Sequence, residues 1–184
     1  MLTDEDYAKA AEELGCEVAA LKAVASVESA GDGFLPDGRV KILFESHIFS
    51  RYTKGRFDKS HPHISSPEWN RKLYKGGAGE WGRLEEAFTL DPVAAQLSAS
   101  YGAFQICGFN YAVCGFKTVE DFVESMLTEA GQLGAFVAFI KSKDLEDELR
   151  QLDWRGFARI YNGSAYVLNA YHTKMAQAYA KFSK

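Results

Sequence analysis

Only one stretch of this chain reads as a strand: R-V-K-I-L-F-E at 39–45, short and β-rich. The other patterned segments carry helix punctuation. Thr3 followed by Asp6 has the spacing of a capping box and Gly15 supplies a stop, which predicts a first helix over 4–14. Val18, Leu21, Val24 and Ala25 recur at helical spacing, predicting a second helix from about 17 to 29 with Gly31 as its end. Ser46 begins a brief helix to about Tyr52. Asp91-Pro92 sets a cap and a first-turn proline at the head of a helix that reaches Ser100-Tyr101-Gly102. Thr118 with Asp121 opens another. Phe122, Met126, Leu133, Phe136, Val137 and Ile140 mark its buried face and predict the central long helix. Asp153 starts a helix to about Tyr161, Asn162-Gly163 breaks it, and Ser164 caps a last helix to about Lys181. Residues 54–82, rich in Gly, Pro, Ser, His and aromatics, predict an irregular functional surface with short helical pieces near Pro67 and Trp81. The fold class is therefore mainly α, or α+β with a small β element.

Length and charge narrow the function. A chain of 184 residues fits one domain over 1–184, long enough to bury a core without staples. A net charge of −4 argues against non-specific nucleic-acid binding, which needs clustered Lys and Arg. It leaves room for an uncharged or mixed polymer such as a polysaccharide. Cys16, Cys107 and Cys114 are an odd set without framework spacing, and read as buried free thiols of a reducing compartment. The acidic start M-L-T-D-E-D-Y is unlike a signal peptide, and no apolar run approaches the ~20 residues that span a bilayer. No stable membrane insertion is expected, and nothing demands more than a monomer.

Glu28 interrupts the apolar stripe of the second helix, in V-A-S-V-E-S-A-G at 24–31. At ~100° per residue it lies ~20° from Leu21 and ~40° from Val24, on the side that must be buried. A carboxyl in an apolar setting has a raised pKa, and the negative end of the helix dipole pushes the same way. A carboxyl still protonated near neutrality suits a general acid. Periodicity alone also allows a solvated stripe edge. Glu45, at the end of the predicted strand, is too far along the chain to share a helix face with Glu28. A helix, turn and returning strand would set the two across a cleft, as glycoside hydrolysis uses paired carboxylates. Taken alone, Glu45 also fits a surface strand end.

Two further motifs join these acids: S-Y-G-A-F-Q-I at 100–106 and R-I-Y-N-G-S at 159–164. With E-S at 28–29 they resemble, in order and spacing, the lysozyme superfamily, including goose-type lysozymes and lytic transglycosylases. The chain is most similar to the N-acetylmuramidase catalytic domain of bacteriophage endolysins, over nearly its whole length. I-L-F-E at 42–45 and W-G-R-L-E-E-A-F at 81–88 carry that closer match. The resemblance implies a lysozyme-like fold, a helical bundle around a central long helix with a small β element beside the cleft. It implies Glu28 as general acid, Glu45 as second acidic residue, and bacterial peptidoglycan glycan strands as substrate, cut at the β-1,4 bond after N-acetylmuramic acid. Ser100, Tyr101, Gly102, Phe104, Gln105, Tyr161 and Asn162 then become substrate-binding candidates. Gly102 permits close backbone approach, Gln105 offers donor and acceptor, Tyr101, Phe104 and Tyr161 offer ring faces, and Asn162 a polar contact. For the aromatics core packing is the competing role. Such endolysins often carry a separate wall-binding module, for which this chain has no room.

His47, two residues after Glu45, fits either a hydrogen bond near the cleft or a cap of the short helix. His61-Pro-His63 lacks the companions of a metal site and His172 stands alone, so neither metal nor cofactor is expected. Lys174, Lys181 and Lys184 read as a solvated helix face. With no leader or anchor, the resemblance implies accumulation in the host cytoplasm, release by a holin-type pathway and action on the wall. Two rivals remain: a lytic transglycosylase forming anhydro-muramic ends, and a non-catalytic wall-binding phage module.

Overall fold

Thr3 caps the first helix as its spacing to Asp6 predicts. In the computed structural model, which describes residues 2–30 and 32–184 and only the backbone of Ala165, Thr3 Oγ1 accepts from the Asp6 N–H at 3.2 Å and the Asp6 carboxylate accepts from the Thr3 N–H at 2.8 Å. Helix α1 (Asp4–Leu14) ends at Gly15, φ 65°. Helix α2 (Val18–Ser29) buries Leu21, Val24 and Ala25, as its stripe requires. The expected stop, Gly31, lies outside the described residues. Ala30 caps α2 in the left-handed region, φ 62°, its N–H on the Ala25 and Ser26 carbonyls. Lys41 Nζ also donates to the Ser29 carbonyl at 2.6 Å, placing a cation where the helix dipole is negative.

The predicted strand is present but shorter, β1 (Ile42–Phe44), followed by α3 (Ser46–Tyr52). A sheet needs partners, and they lie where helix and loop were expected. Helix α4 (Gly79–Leu90) is a full three turns where only a short piece near Trp81 was expected. Asp91 caps α5 (Pro92–Leu97) as predicted, its side chain accepting from Ala94 N–H. That helix does not reach Tyr101. Ser98, fully buried, turns its hydroxyl back onto the Ala94 carbonyl at 2.6 Å, and the chain leaves the helix for β2 (Ala99–Tyr101). β2 pairs antiparallel with β1 and with β3 (Ile106–Cys107), in the order β1-β2-β3, with Ser100 opposite both Leu43 and Cys107.

The central long helix is not continuous. It is α6 (Val119–Ser125) and α7 (Glu129–Ser142), separated at Met126–Thr128. Thr128 caps the second segment by accepting from Gly131 N–H at 3.0 Å. A side chain on Gly131 would bring a Cβ within 2.0 Å of the Ser125 carbonyl oxygen, so this glycine lets the two helices meet. The apolar residues still face one core, with Phe122, Met126, Phe136 and Ile140 all buried. Helix α8 (Glu146–Arg150) was not foreseen. Helix α9 (Trp154–Tyr161) begins at Asp153 as predicted. The last helix, α10 (Tyr171–Phe182), starts later than Ser164, which opens a 3-10 turn instead.

The principal contacts sort these elements into two groups. Helix α1 packs against both α2 and α7, and α10 lies along α2 and against α9. The sheet packs with α4, and α5 touches α3, α4 and α6. Glu28 ends a helix of the first group and Glu45 follows a strand of the second, so the two acids belong to different walls of the fold.

Candidate active site

Glu28 sits in the last turn of α2, half-buried, and accepts from Asn162 Nδ2 at 2.7 Å. Asn162 is the C-cap of α9, so the break after that helix delivers the amide. Burial pushes the Glu28 pKa from 4.5 up to about 7, against the opposing pull of the Asn162 hydrogen bond and the Lys174 charge. Near neutrality this carboxyl is poised to hold or give up a proton.

Glu45 occupies the N-cap position of α3, yet its side chain makes no capping bond. Its backbone N–H instead bonds the Ser98 carbonyl at 2.8 Å, extending the β1–β2 pairing by one rung. The freed carboxylate accepts from Tyr74 Oη at 2.6 Å and faces His47 Nδ1 at 3.3 Å, so His47 lies at the carboxylate and is not the helix cap. Burial raises the Glu45 pKa. The Tyr74 hydrogen bond and the charges of His47 and Arg83 oppose that rise, while Glu80 adds to it.

Three groups feel one or both carboxylates, which puts the two acids in one electrostatic neighbourhood. The Cys107 thiol on β3 is pushed up to about 12 by burial, with Glu45 and Glu28 both adding to the shift. The Tyr171 pKa is raised by burial and then by the same two carboxylates, and Tyr161, raised chiefly by burial, also feels Glu28. Cys107 is thus a buried thiol, as expected, that also feels both carboxylates.

A buried ion pair anchors the Glu45 wall. Glu80 is fully buried. One of its oxygens accepts from Lys75 and Gly76 N–H at 2.6 and 2.9 Å, and the other from Phe44 N–H and Arg83 Nη1 at 3.1 and 2.7 Å. Arg83 in turn donates to the Phe44 carbonyl at 2.9 Å and Ser46 Oγ at 2.5 Å. The two side chains tie the 74–76 segment, the head of α4 and the end of β1 into one piece.

The S-Y-G-A-F-Q residues are brought together, but several face inward. Tyr101 is 2% exposed, donates to the Gln96 carbonyl at 3.1 Å and meets Phe122 edge-on. Phe104 is stacked on Phe136 at 4.2 Å. Both are core residues, which corrects the expectation that they offer faces to sugar. Gly102, φ 74°, makes room for a protein side chain: a Cβ there would lie 2.5 Å from the Gln132 amide. That buried amide accepts from Ala103 N–H at 2.8 Å and donates to the Met126 carbonyl at 2.9 Å, fixing the turn. Ser100 Oγ donates to Gln105 Oε1 at 2.9 Å, and Gln105 Nε2 donates to the Gly102 carbonyl at 2.9 Å and the Lys41 carbonyl at 3.2 Å. The Gln105 amide is thus committed to holding the β2–β3 turn. Tyr161 stacks on Phe157 and donates to the Phe104 carbonyl at 2.7 Å, leaving it half-buried beside Glu28. His61 and His63 are on the surface, with His63 on Glu86 at 2.8 Å, and no metal-binding cluster is present among the described residues.

Sequence reasoning missed Trp69, Tyr74, Glu80, Arg83 and Tyr171. Trp69, Tyr74 and Glu80 lie inside the segment singled out as irregular and functional, and Arg83 lies within the W-G-R-L-E-E-A-F motif. The one-dimensional signal marked these stretches without singling out the residues.

The N-acetylmuramidase family model matches residues 17–183, which contain both acids and every residue described above around them. The chain belongs to the N-acetylmuramidase family. It is a glycoside hydrolase that acts on peptidoglycan. The crystal structure of Burkholderia AP3 phage endolysin superposes with a TM-score of 0.87 at 39% identity, over 99% of this chain and 71% of that one. No curated protein sequence matches. The family and this neighbour bear out the predicted resemblance and the mainly helical fold with its small sheet. No helix among the described residues is long and apolar enough to cross a membrane.

Proposed function

We propose that this muramidase cleaves the β-1,4 bond after N-acetylmuramic acid with Glu28 as general acid and Glu45 as its partner. The observation that carries the assignment is the contrast between the two environments. Glu28 is desolvated, with a pKa near 7 and a neutral amide as hydrogen-bond donor. The Glu45 pKa is also raised by burial, but a phenol, an imidazole and a nearby guanidinium hold the carboxylate and oppose that rise. Two carboxyls in environments this different can divide the labour of glycoside hydrolysis. Glu28 gives its proton to the glycosidic oxygen as the C1–O bond breaks. Glu45 supports the positive charge at C1 or takes a proton from the water that adds there. The leaving sugar departs with a free 4-hydroxyl, and C1 ends as a hemiacetal.

Asn162 orients Glu28, and the Ser100–Gln105 pair with Gly102 shapes the turn between the walls. The chain acts as one domain over 1–184 and as a monomer. Its similarity to a phage endolysin supports a role in bacterial cell lysis, with cytoplasmic accumulation and holin-type release before action on the wall. The test is mass spectrometry of borohydride-reduced products from purified peptidoglycan. Reduced muramitol ends are expected from the wild-type chain, and none from Glu28→Gln. Anhydro-muramic ends would replace the hydrolase reading with a transglycosylase in which Glu45 is structural. Wall binding without soluble products would favour a binding module.

A further inference from the structure

Trp69 is 60% exposed, yet its polar edge does not face water. The indole N–H donates to Tyr74 Oη at 2.8 Å, and that hydroxyl donates to Glu45 Oε2 at 2.6 Å. The rings meet near edge-to-face, with centroids 6.3 Å apart and planes at 68°. Indole has a single donor, and here it is already paired. A sugar ring settling on the exposed face would strip no hydrogen bond from Trp69 while removing apolar surface from water. The segment bearing both rings is held in place: Asn70 Oδ1 accepts from Lys72 N–H at 3.0 Å, Lys75 and Gly76 are fastened to buried Glu80, and the Arg83 guanidinium lies 5.8 Å from the Tyr74 ring centre.

We propose that Trp69 is a sugar-stacking subsite on the Glu45 side of the cleft, and that Tyr74 is the positioning residue that ties the subsite to Glu45. The ligand is the apolar face of a pyranose ring in the glycan strand. The coupling half of the proposal rests on the reading of Glu45 as the second acid; the stacking half does not. A phenol oxygen that accepts from Trp69 is polarised to donate more strongly to Glu45. A sugar covering Trp69 removes water from that chain of bonds and strengthens them at the moment the substrate is in place. Other groups also face Glu45: His47 from α3, Glu80 and Arg83 from α4, Cys107 from β3 and Tyr171 from α10. The Tyr74 contact, at 2.6 Å, is shorter than the 3.3 Å to His47.

The test uses the full chain and a tetrasaccharide of alternating N-acetylglucosamine and N-acetylmuramic acid. Binding is measured by calorimetry in a Glu28→Gln background, and kcat/KM against pH in an otherwise wild-type background. Trp69→Ala is expected to weaken binding about tenfold and Trp69→Phe, which keeps a ring, by less than about threefold. Tyr74→Phe loses a donor to the charged form, so the acid limb of kcat/KM moves up by about one pH unit with binding retained. Trp69→Phe removes the relay's donor without touching Tyr74 and moves the same limb by a smaller step, which keeps the coupling testable if Tyr74→Phe misfolds. Binding by Trp69→Ala within about twofold of the Glu28→Gln parent overturns the subsite. A folded Tyr74→Phe enzyme with a lower plateau but an unmoved acid limb overturns the positioning role. A fully active Glu45→Gln enzyme with an unchanged pH profile refutes the reading of Glu45 and the coupling with it. Weakened binding by Trp69→Ala would still establish the subsite.

Discussion

Glu28 and Glu80 are both glutamates drawn out of water, and they serve opposite ends. Glu80 is wholly buried with four donors on its two oxygens, one of them the Arg83 guanidinium. Glu28 is less deeply placed, and the structure gives its carboxyl one neutral donor, Asn162. Removal from water alone therefore does not separate the proposed acid from a structural one. The donor list does: Glu80 is fastened by three backbone N–H groups and a guanidinium, while the Glu28 carboxyl, its pKa raised by burial, has one amide donor and a Lys174 charge nearby. The Glu45 wall is built around the Glu80–Arg83 ion pair, and the Glu28 wall around a carboxyl whose pKa burial lifts to about 7.

Exchanging each glutamate for a neutral relative tests that contrast most sharply. Glu28→Gln keeps the shape and the Asn162 contact but has no proton to give. Its turnover of purified peptidoglycan, followed as soluble reducing ends, is expected to fall by about 10²–10⁴-fold while circular dichroism stays native. An active, folded Glu28→Gln chain would sink the catalytic assignment. Glu80→Ala leaves the Arg83 guanidinium buried without its partner and three backbone N–H groups without an acceptor. Its unfolding free energy in a denaturant titration is expected to drop by about 3–5 kcal/mol, with activity lost only through lost fold. A Glu80→Ala chain of wild-type stability would mean that the ion pair does not hold the wall.

The same contrast explains what could be read from the sequence. Glu28 was legible because its fault is periodic: an acid on an apolar helix stripe is visible in one dimension. The caps at Thr3, Asp91, Thr118 and Asp153 were legible because they act over three residues. What escaped was set by contacts across the chain. β2 depends on Ser98 leaving its helix and on β1 waiting 57 positions away, as in the pairing of Leu43 with Ser100. The break between α6 and α7 depends on how closely Gly131 approaches Ser125. Tyr101 and Phe104 share a motif with Gln105, yet whether a ring faces sugar or core is decided by Phe122 and Phe136, which no local spacing reveals. Tyr74 reaches Glu45 from a segment with no regular pattern at all.

A smaller effect appears in stability against pH. The folded pKa of Glu28, about 7, lies above its ordinary 4.5, so the folded state binds more proton between those values. The stability tied to this group is fully present below about 4.5 and is lost as pH rises through about 7. Glu28→Gln carries no such penalty. Its stability advantage over the wild type is expected to grow by about 1–3 kcal/mol between pH 4 and pH 8. Parallel melting temperatures across that range would show that the site does not hold Glu28 in its neutral form.

The finest probe leaves both acids in place and removes the amide between helix end and carboxyl. The Asn162 hydrogen bond favours the charged form of Glu28, so it works against the desolvation that keeps the proton on. Asn162→Ala is therefore expected to raise the Glu28 pKa further. The alkaline limb of kcat/KM, which reports loss of the proton from the free enzyme's acid, moves to higher pH by about half a unit to one unit. The plateau falls modestly, by about three- to tenfold, because the carboxyl is less well oriented toward the glycosidic oxygen. The acid limb, which the proposed role of Glu45 assigns to that residue, is expected to stay where it was. That asymmetry is the decisive readout: movement of the alkaline limb alone assigns Asn162 to the wall of the mobile proton. Movement of both limbs together would mean that the two walls titrate as one unit and that the contrast between them is not maintained in solution.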